Sequence, residues 1–174
     1  MKTIFAVLIF CVLISCKGQN SMIDKTVVET VDIEKYLGTW YEIARYDHKF
    51  ERGLVGVTAT YTLNTDGTIQ VLNKGFKDSL TGKESIAIGK AKIPNSEIPA
   101  KLKVSFFWIF YADYYILELD NNYEWTIIGS KSDDYLWILY RKPQIESELH
   151  HKLISLIKAR GYDTSKLITV QQTR

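Results

Sequence analysis

Cysteine is almost missing from this chain. Its two residues, Cys11 and Cys16, both stand near the N-terminus, so nothing downstream can form a disulfide, a thiolate metal site or a cysteine nucleophile. A domain without such staples must be stable on its core alone. Histidine is equally scarce. His150 and His151 are neighbours in a helical stretch, where side chains diverge by about 100° and chelate poorly. His48 adjoins Asp47 only in sequence, and no ordered set of nucleophile, base and orienting acid is visible, so neither an enzyme nor a cofactor is expected. Charge is nearly balanced, with 22 basic against 20 acidic residues and no basic run, which argues against a nucleic-acid partner. No internal repeat interrupts the chain, and no apolar run reaches the roughly 20 residues that a membrane-crossing helix needs.

What is present begins with an export signal. Lys2 precedes the apolar run Ile4 to Ile14, the length of a signal-peptide core. The run ends in Leu13-Ile14-Ser15-Cys16, which resembles a bacterial lipobox. That resemblance implies cleavage before Cys16 and a diacylglyceryl group on its sulfur. Residues 1–15 are then the signal peptide, 16–31 the lipidated cysteine and a flexible tether, and 32–174 the folded domain. Two or more acyl chains hold a protein firmly on a membrane. Lys17 to Lys25, with Gly18, Gln19, Asn20 and Ser21, has no apolar period and reads as a polar leash without structure of its own.

From Thr39 onward the pattern is short strands separated by turn chemistry. Val57 to Leu63 is β-branched and aromatic, and Asp66-Gly67 within the following turn is a hairpin signal. Further strands are expected at Thr39–Tyr46, Thr68–Phe76, Ser85–Ile93, Lys101–Phe106, Tyr114–Leu119, Glu124–Lys131 and Tyr135–Lys142. Most connections are of hairpin length, which suggests an all-β, eight-stranded antiparallel up-and-down barrel, a two-sheet sandwich being the competitor. After Pro143 the period changes. Ile145, Leu149, Leu153, Leu156 and Ile157 recur at helical spacing until Gly161, so one C-terminal helix of about four turns packs outside the barrel. Leu167–Val170 adds a last strand segment. The 4 Trp and 11 Tyr must fill a core or line an apolar cavity.

The stretch Gly38-Thr39-Trp40 opens the first strand and continues through Tyr46 into Asp47-His48-Lys49-Phe50-Glu51-Arg52-Gly53. With Lys103–Phe107, Tyr135–Leu139 and Val170-Gln171-Gln172, it resembles the outer-membrane lipoprotein lipocalins of bacteria, from about Asp32 to the C-terminus. The resemblance implies that Gly38, Trp40 and Arg141 form the closed floor, with the basic side chain over the indole in a cation–π stack worth about 0.5–2 kcal/mol. The family's middle motif appears only as Leu119-Asp120-Asn121, which leaves Asp120 for the bottom turn.

The same resemblance implies a ligand, a fatty acid or lysophospholipid, held in the cavity of an envelope protein at the outer membrane. Each buried methylene contributes about 0.8 kcal/mol, so a long tail binds without a special polar partner. If Trp40 and Arg141 mark the floor, the loops at Asp47–Gly56, Phe76–Gly82, Phe107–Asp113 and Ser132–Asp134 surround the mouth. Strand alternation then places Ala44 inward with Trp40, and Trp137 and Leu139 inward with Arg141. Phe76, Phe106 and Tyr114 complete the expected lining. Phe107 to Tyr111, including Trp108 and Phe110, is an apolar run in a connection that should face solvent, read either as strand extension into the core or as a rim for docking on a membrane or on a second copy of the chain. Lys49, Arg52, Lys77 and Lys83 around the mouth suit an anionic headgroup. The competing readings are a structural envelope lipoprotein with a filled barrel, and a carrier of haem, with His48 as axial ligand, or of another small hydrophobic molecule.

Overall fold

The computed structural model describes residues 22–172. The expected signal peptide, Cys16 and most of the leash lie outside the described residues. Residues 22–31 carry no regular element, yet they are fixed to the barrel wall. Asp24 donates its N–H to the Arg160 carbonyl, Val28 donates to Ile116, and Lys25 forms an ion pair with Asp133 at 2.5 Å.

Asp32 then caps a short helix, α1 (Ile33–Tyr36), its carboxylate accepting from the N–H groups of Glu34 and Lys35. Nine strands follow: β1 (Gly38–Tyr46), β2 (Leu54–Leu63), β3 (Ile69–Lys77), β4 (Glu84–Lys92), β5 (Lys101–Phe107), β6 (Phe110–Leu119), β7 (Trp125–Gly129), β8 (Leu136–Tyr140) and β9 (Leu167–Thr169). Each of β1–β8 pairs antiparallel with its sequence neighbour, and β1 also pairs with β8, so the sheet closes into an eight-stranded barrel. Helix α2 (Ser147–Ala159) lies outside, between β8 and β9 in the chain, and buries Leu153 and Ile157. It ends where the sequence indicates. Gly161, at φ 86°, gives its N–H to Lys158 and lets Tyr162 bond back to Ile157, closing the C-terminus with a Schellman motif.

Residues directly opposite across a ladder share a face. The set Trp40, Ala59, Asn73 and Ala87 therefore points inward, as does Arg45 with Trp137, Ile128 and Ile116. Two expectations fall here. Ala44 faces outward: between Glu42 and Ala44 the register with β8 slips by one residue, so Glu42 and Arg45 take the inward places and Ala44 pairs with outward-facing Ile138. Phe76 also faces outward. β3 runs without a bulge against β4, its odd-numbered residues facing inward, so Phe76 shares the outer face with Lys74, whose Nζ lies 5.4 Å from the ring centroid.

Two seams interrupt the upper barrel. β1 pairs with β2 only through Gly38–Tyr41, and above that β9 takes its edge at Ala44–Tyr46. Gln172 Nε2 then donates to the carbonyls of Glu42 (2.6 Å) and Val57 (3.0 Å), next to the register slips of β1 and β2. On the far side β4 pairs with β5 only over Lys90–Lys92, leaving Glu84–Gly89 unpaired on that edge.

Candidate functional site

The floor is built from the residues of the first motif. Arg141 stacks its guanidinium 3.8 Å from the Trp40 ring centroid and donates to the carbonyls of Tyr123, Thr39, Lys35 and Tyr36. Gly38 sits at φ 87°, and a side chain there would stand 3.5 Å from Arg141 Nη1. The Trp40 indole N–H donates to the Tyr36 carbonyl. Asp120 holds the bottom turn by accepting from the N–H groups of Asn122 and Glu124.

Above the floor lies a belt of phenols. Tyr36 and Tyr61 each share a hydrogen bond with the Tyr114 hydroxyl, at 2.7 and 3.0 Å. Burial, reinforced by Tyr61 at Tyr36 and by both Tyr36 and Tyr61 at Tyr114, pushes the Tyr36 and Tyr114 hydroxyls well above the ordinary phenol range, so both remain neutral and hydrogen-bonded. Tyr114 is in the expected lining on its size and apolarity. Tyr36 arrives through α1, an element too short to show apolar periodicity.

Higher, on the β1 wall, sits a polar cluster. Arg45 donates to Glu42 Oε1 at 2.5 Å and to the carbonyls of Glu51 and Leu54. Glu51 Oε2 accepts from Trp137 Nε1 at 3.0 Å and lies 2.9 Å from His48 Nε2. Burial and the neighbouring Glu51 carboxylate raise the Glu42 carboxyl well above its usual range, against the pull of Arg45. Burial also works to raise Glu51, but the His48 and Trp137 contacts and the Arg45 charge hold it below. Two acids thus face one guanidinium, and the upward push on the Glu42 carboxyl works against a net negative charge in this low-dielectric part of the interior. Sequence reading missed the cluster through the β1 slip. The available signal was Glu42, which shares strand parity with Trp40.

The opposite wall differs. The inward residues of β4 are Ser85, Ala87, Gly89 and Ala91, all small. Ala91 is buried near the floor, while Ser85 and Ala87 above it are exposed. The barrel is thus plugged below, and above the floor its β4 wall presents only small side chains.

Of the expected lining, the structure places Phe106, Tyr114 and Trp137 on the inner face. Trp108 and Phe110 stand above the barrel rather than within it, although Phe110 shares strand parity with inward-facing Ala112 and Tyr114. They occupy the β5–β6 hairpin, where Phe107 pairs with Phe110 across Trp108-Ile109, and they are 95% and 76% exposed. The strands do extend, as one reading of Phe107–Tyr111 had it, but into solvent rather than into the core. Lys49 lies over the Phe50 ring, and Arg52 is engaged by Asp47 at 2.9 Å. His48 packs among Phe50, Tyr135 and Trp137.

Comparison with known proteins agrees with this geometry. The lipocalin-like domain family matches residues 31–172. The chain is 43% identical over 159 residues to the outer membrane lipoprotein Blc of Escherichia coli K12, covering 91% of this chain and 89% of that protein. It is 42% identical to the protein of the same name from Vibrio cholerae, with 99% of each covered. Insecticyanin from the tobacco hornworm superposes with a TM-score of 0.69 at 18% identity, over 87% of this chain and 86% of that one, a likeness of fold. This chain belongs to the lipocalin family.

Proposed function

We infer, from the family and the barrel, that this chain is a lipocalin-type binder of lipids or small hydrophobic molecules rather than a catalyst. We propose, more specifically, that it is an outer-membrane lipoprotein, anchored through Cys16, that holds a long-chain fatty acid or lysophospholipid with the tail in the upper barrel and the headgroup at the mouth. The observation that carries this reading is the asymmetry of the interior, with small exposed residues along β4 above a floor sealed by Trp40, Arg141 and the tyrosines. A tail laid against Ala87, Phe106 and Tyr114 replaces water over apolar surface, at about 0.8 kcal/mol per methylene before ordering costs. The Glu42 and Glu51 pair already engages Arg45, so an anionic head gains nothing by descending past it. Lys49, Lys77 and Lys83 stand exposed at the mouth, where such a head remains hydrated. The binding is therefore tolerant of tail length.

Filling the space tests the reading. Ala87→Trp is expected to abolish uptake of a fluorescent fatty-acid probe while leaving the melting temperature within a few degrees, since residue 87 sits on an unpaired strand edge. Unchanged uptake by Ala87→Trp would place the ligand elsewhere.

A further inference from the structure

The exposed apolar residues of this molecule are concentrated at the mouth end. Phe107, Trp108, Ile109 and Phe110 are each more than two-thirds exposed, and the run from Ser105 to Ala112 carries no charge. Their position beyond the rim is fixed by the backbone. Phe107 and Phe110 pair across a two-residue turn, and Trp108 holds φ 50° there, a left-handed conformation that such turns normally give to Gly, Asn or Asp. Stability alone favours one of those residues; a tryptophan instead places its largest apolar surface at the tip. Phe50, 62% exposed, belongs to the β1–β2 loop at the same end.

The start of the described chain lies at that end too. Residues 22–31 run along the wall, with Lys25 bonded to the Lys131 carbonyl and paired to Asp133. Both partners belong to the β7–β8 connection, the mouth loop next around the rim from the β5–β6 hairpin. Met22, 94% exposed, is three residues further out. Five residues lie between it and Cys16, so six chain steps, a contour of at most about 20 Å, join the anchoring position to the rim of the barrel rather than to its floor.

We propose that the mouth of the barrel docks onto the phospholipid bilayer that carries the chain's own anchor, with Trp108 and Ile109 seated among the acyl chains. This rests on the reading of Cys16 as the acylated residue. A short tether at the mouth end brings that end to the membrane. An uncharged aromatic hairpin is the chemistry that an interface between headgroups and acyl chains accepts, with indole at its boundary. The unpaired upper edge of β4, with Ile86 and Ile88 exposed on its outer face, flanks the same hairpin and continues the apolar surface down the wall. A lipid could then pass from bilayer to barrel without its tail crossing open water.

The test uses the acylated chain in vesicles of phosphatidylethanolamine and phosphatidylglycerol, with and without bromine on the acyl chains. Trp40 and Trp125 are buried and Trp137 is half-buried on the inner face of the barrel, so the part of the quenching by brominated tails that Trp108→Phe removes reports on Trp108. We expect quenching that Trp108→Phe removes; equal emission in plain and brominated vesicles would overturn the proposal. In a Cys16→Ser chain, Trp108→Ser with Ile109→Ser is expected to weaken vesicle partitioning at least about tenfold. Equal partitioning of the two chains would also overturn it. Quenching that persists in the Cys16→Ser chain supports docking even if mass spectrometry finds no acyl group on Cys16. Fatty-acid uptake measured on the same rim variants separates docking from carriage, because residues 108 and 109 lie outside the interior. A rim variant that converts a dimer to a monomer in sedimentation velocity, with no quenching in vesicles, would make the hairpin an interface between copies and overturn the bilayer.

Discussion

The inward side chain that least resembles a lipid carrier's lining is Glu42. Its carboxyl is raised by burial and by Glu51, so the folded state binds this proton more tightly than the unfolded chain does. The contribution of Glu42 to stability is therefore greatest below the ordinary value of 4.5 and declines as pH rises from there toward the raised one. Glutamine keeps the acceptor for Arg45 and cannot ionise. Glu42→Gln is expected to equal the parent near pH 4 and to become progressively more stable than it toward neutral pH. Denaturant unfolding at a series of pH values reads this directly, and parallel curves would show that Glu42 is ionised in the fold. Arg141 is the counterpart at the floor. Removing its stack on Trp40 and its bonds to four carbonyls is expected to cost about 2–3 kcal/mol in Arg141→Ala, seen as a lowered denaturation midpoint. Lysine, without the planar fork, should recover only part of it.

At the scale of elements, what could be read and what could not divide along one physical line. Strands, hairpins and helix depend on local chemistry: Asp66-Gly67 at a turn, β-branched runs, apolar residues at helical spacing before Gly161. All of these form where that chemistry indicates, and so does the final strand beside β1. Side-chain direction depends on register, which a single extra residue reverses. The slip at Ile43 turns Ala44 out and Arg45 in, and nothing in Glu42-Ile43-Ala44 marks it locally. Phe76 failed for a different reason: its strand has no slip against β4, and its size and apolarity were read without a parity anchor on β3. Phe106 and Tyr114 were chosen on the same grounds and do face inward. The slips have a structural consequence in Gln172, whose amide bonds the carbonyls of Glu42 and Val57. Gln172→Ala leaves both without that donor and is expected to cost about 1–2 kcal/mol. Hydrogen exchange should localise the loss to the upper halves of β1 and β2. Uniform loss across all strands would show that this contact does not act on the seam.

Over the whole molecule, the two ends of the barrel are opposed in character. The floor is closed by a guanidinium on an indole, a phenol belt and the short helix α1, with each nitrogen of that guanidinium bonded to a backbone carbonyl. The mouth is bordered by small inward residues, exposed lysines and an aromatic hairpin, and the tethered N-terminal segment reaches it along the wall. One end holds the fold together and the other is left for a ligand. The central claim, that the open half takes up a single lipid, is tested most directly by native mass spectrometry of the acyl-free Cys16→Ser chain titrated with lysophospholipid. A saturable adduct of one lipid per barrel, lost in Ala87→Trp, is the expected result. A protein mass that stays bare under excess lipid would contradict the claim and show that the barrel is filled by its own side chains.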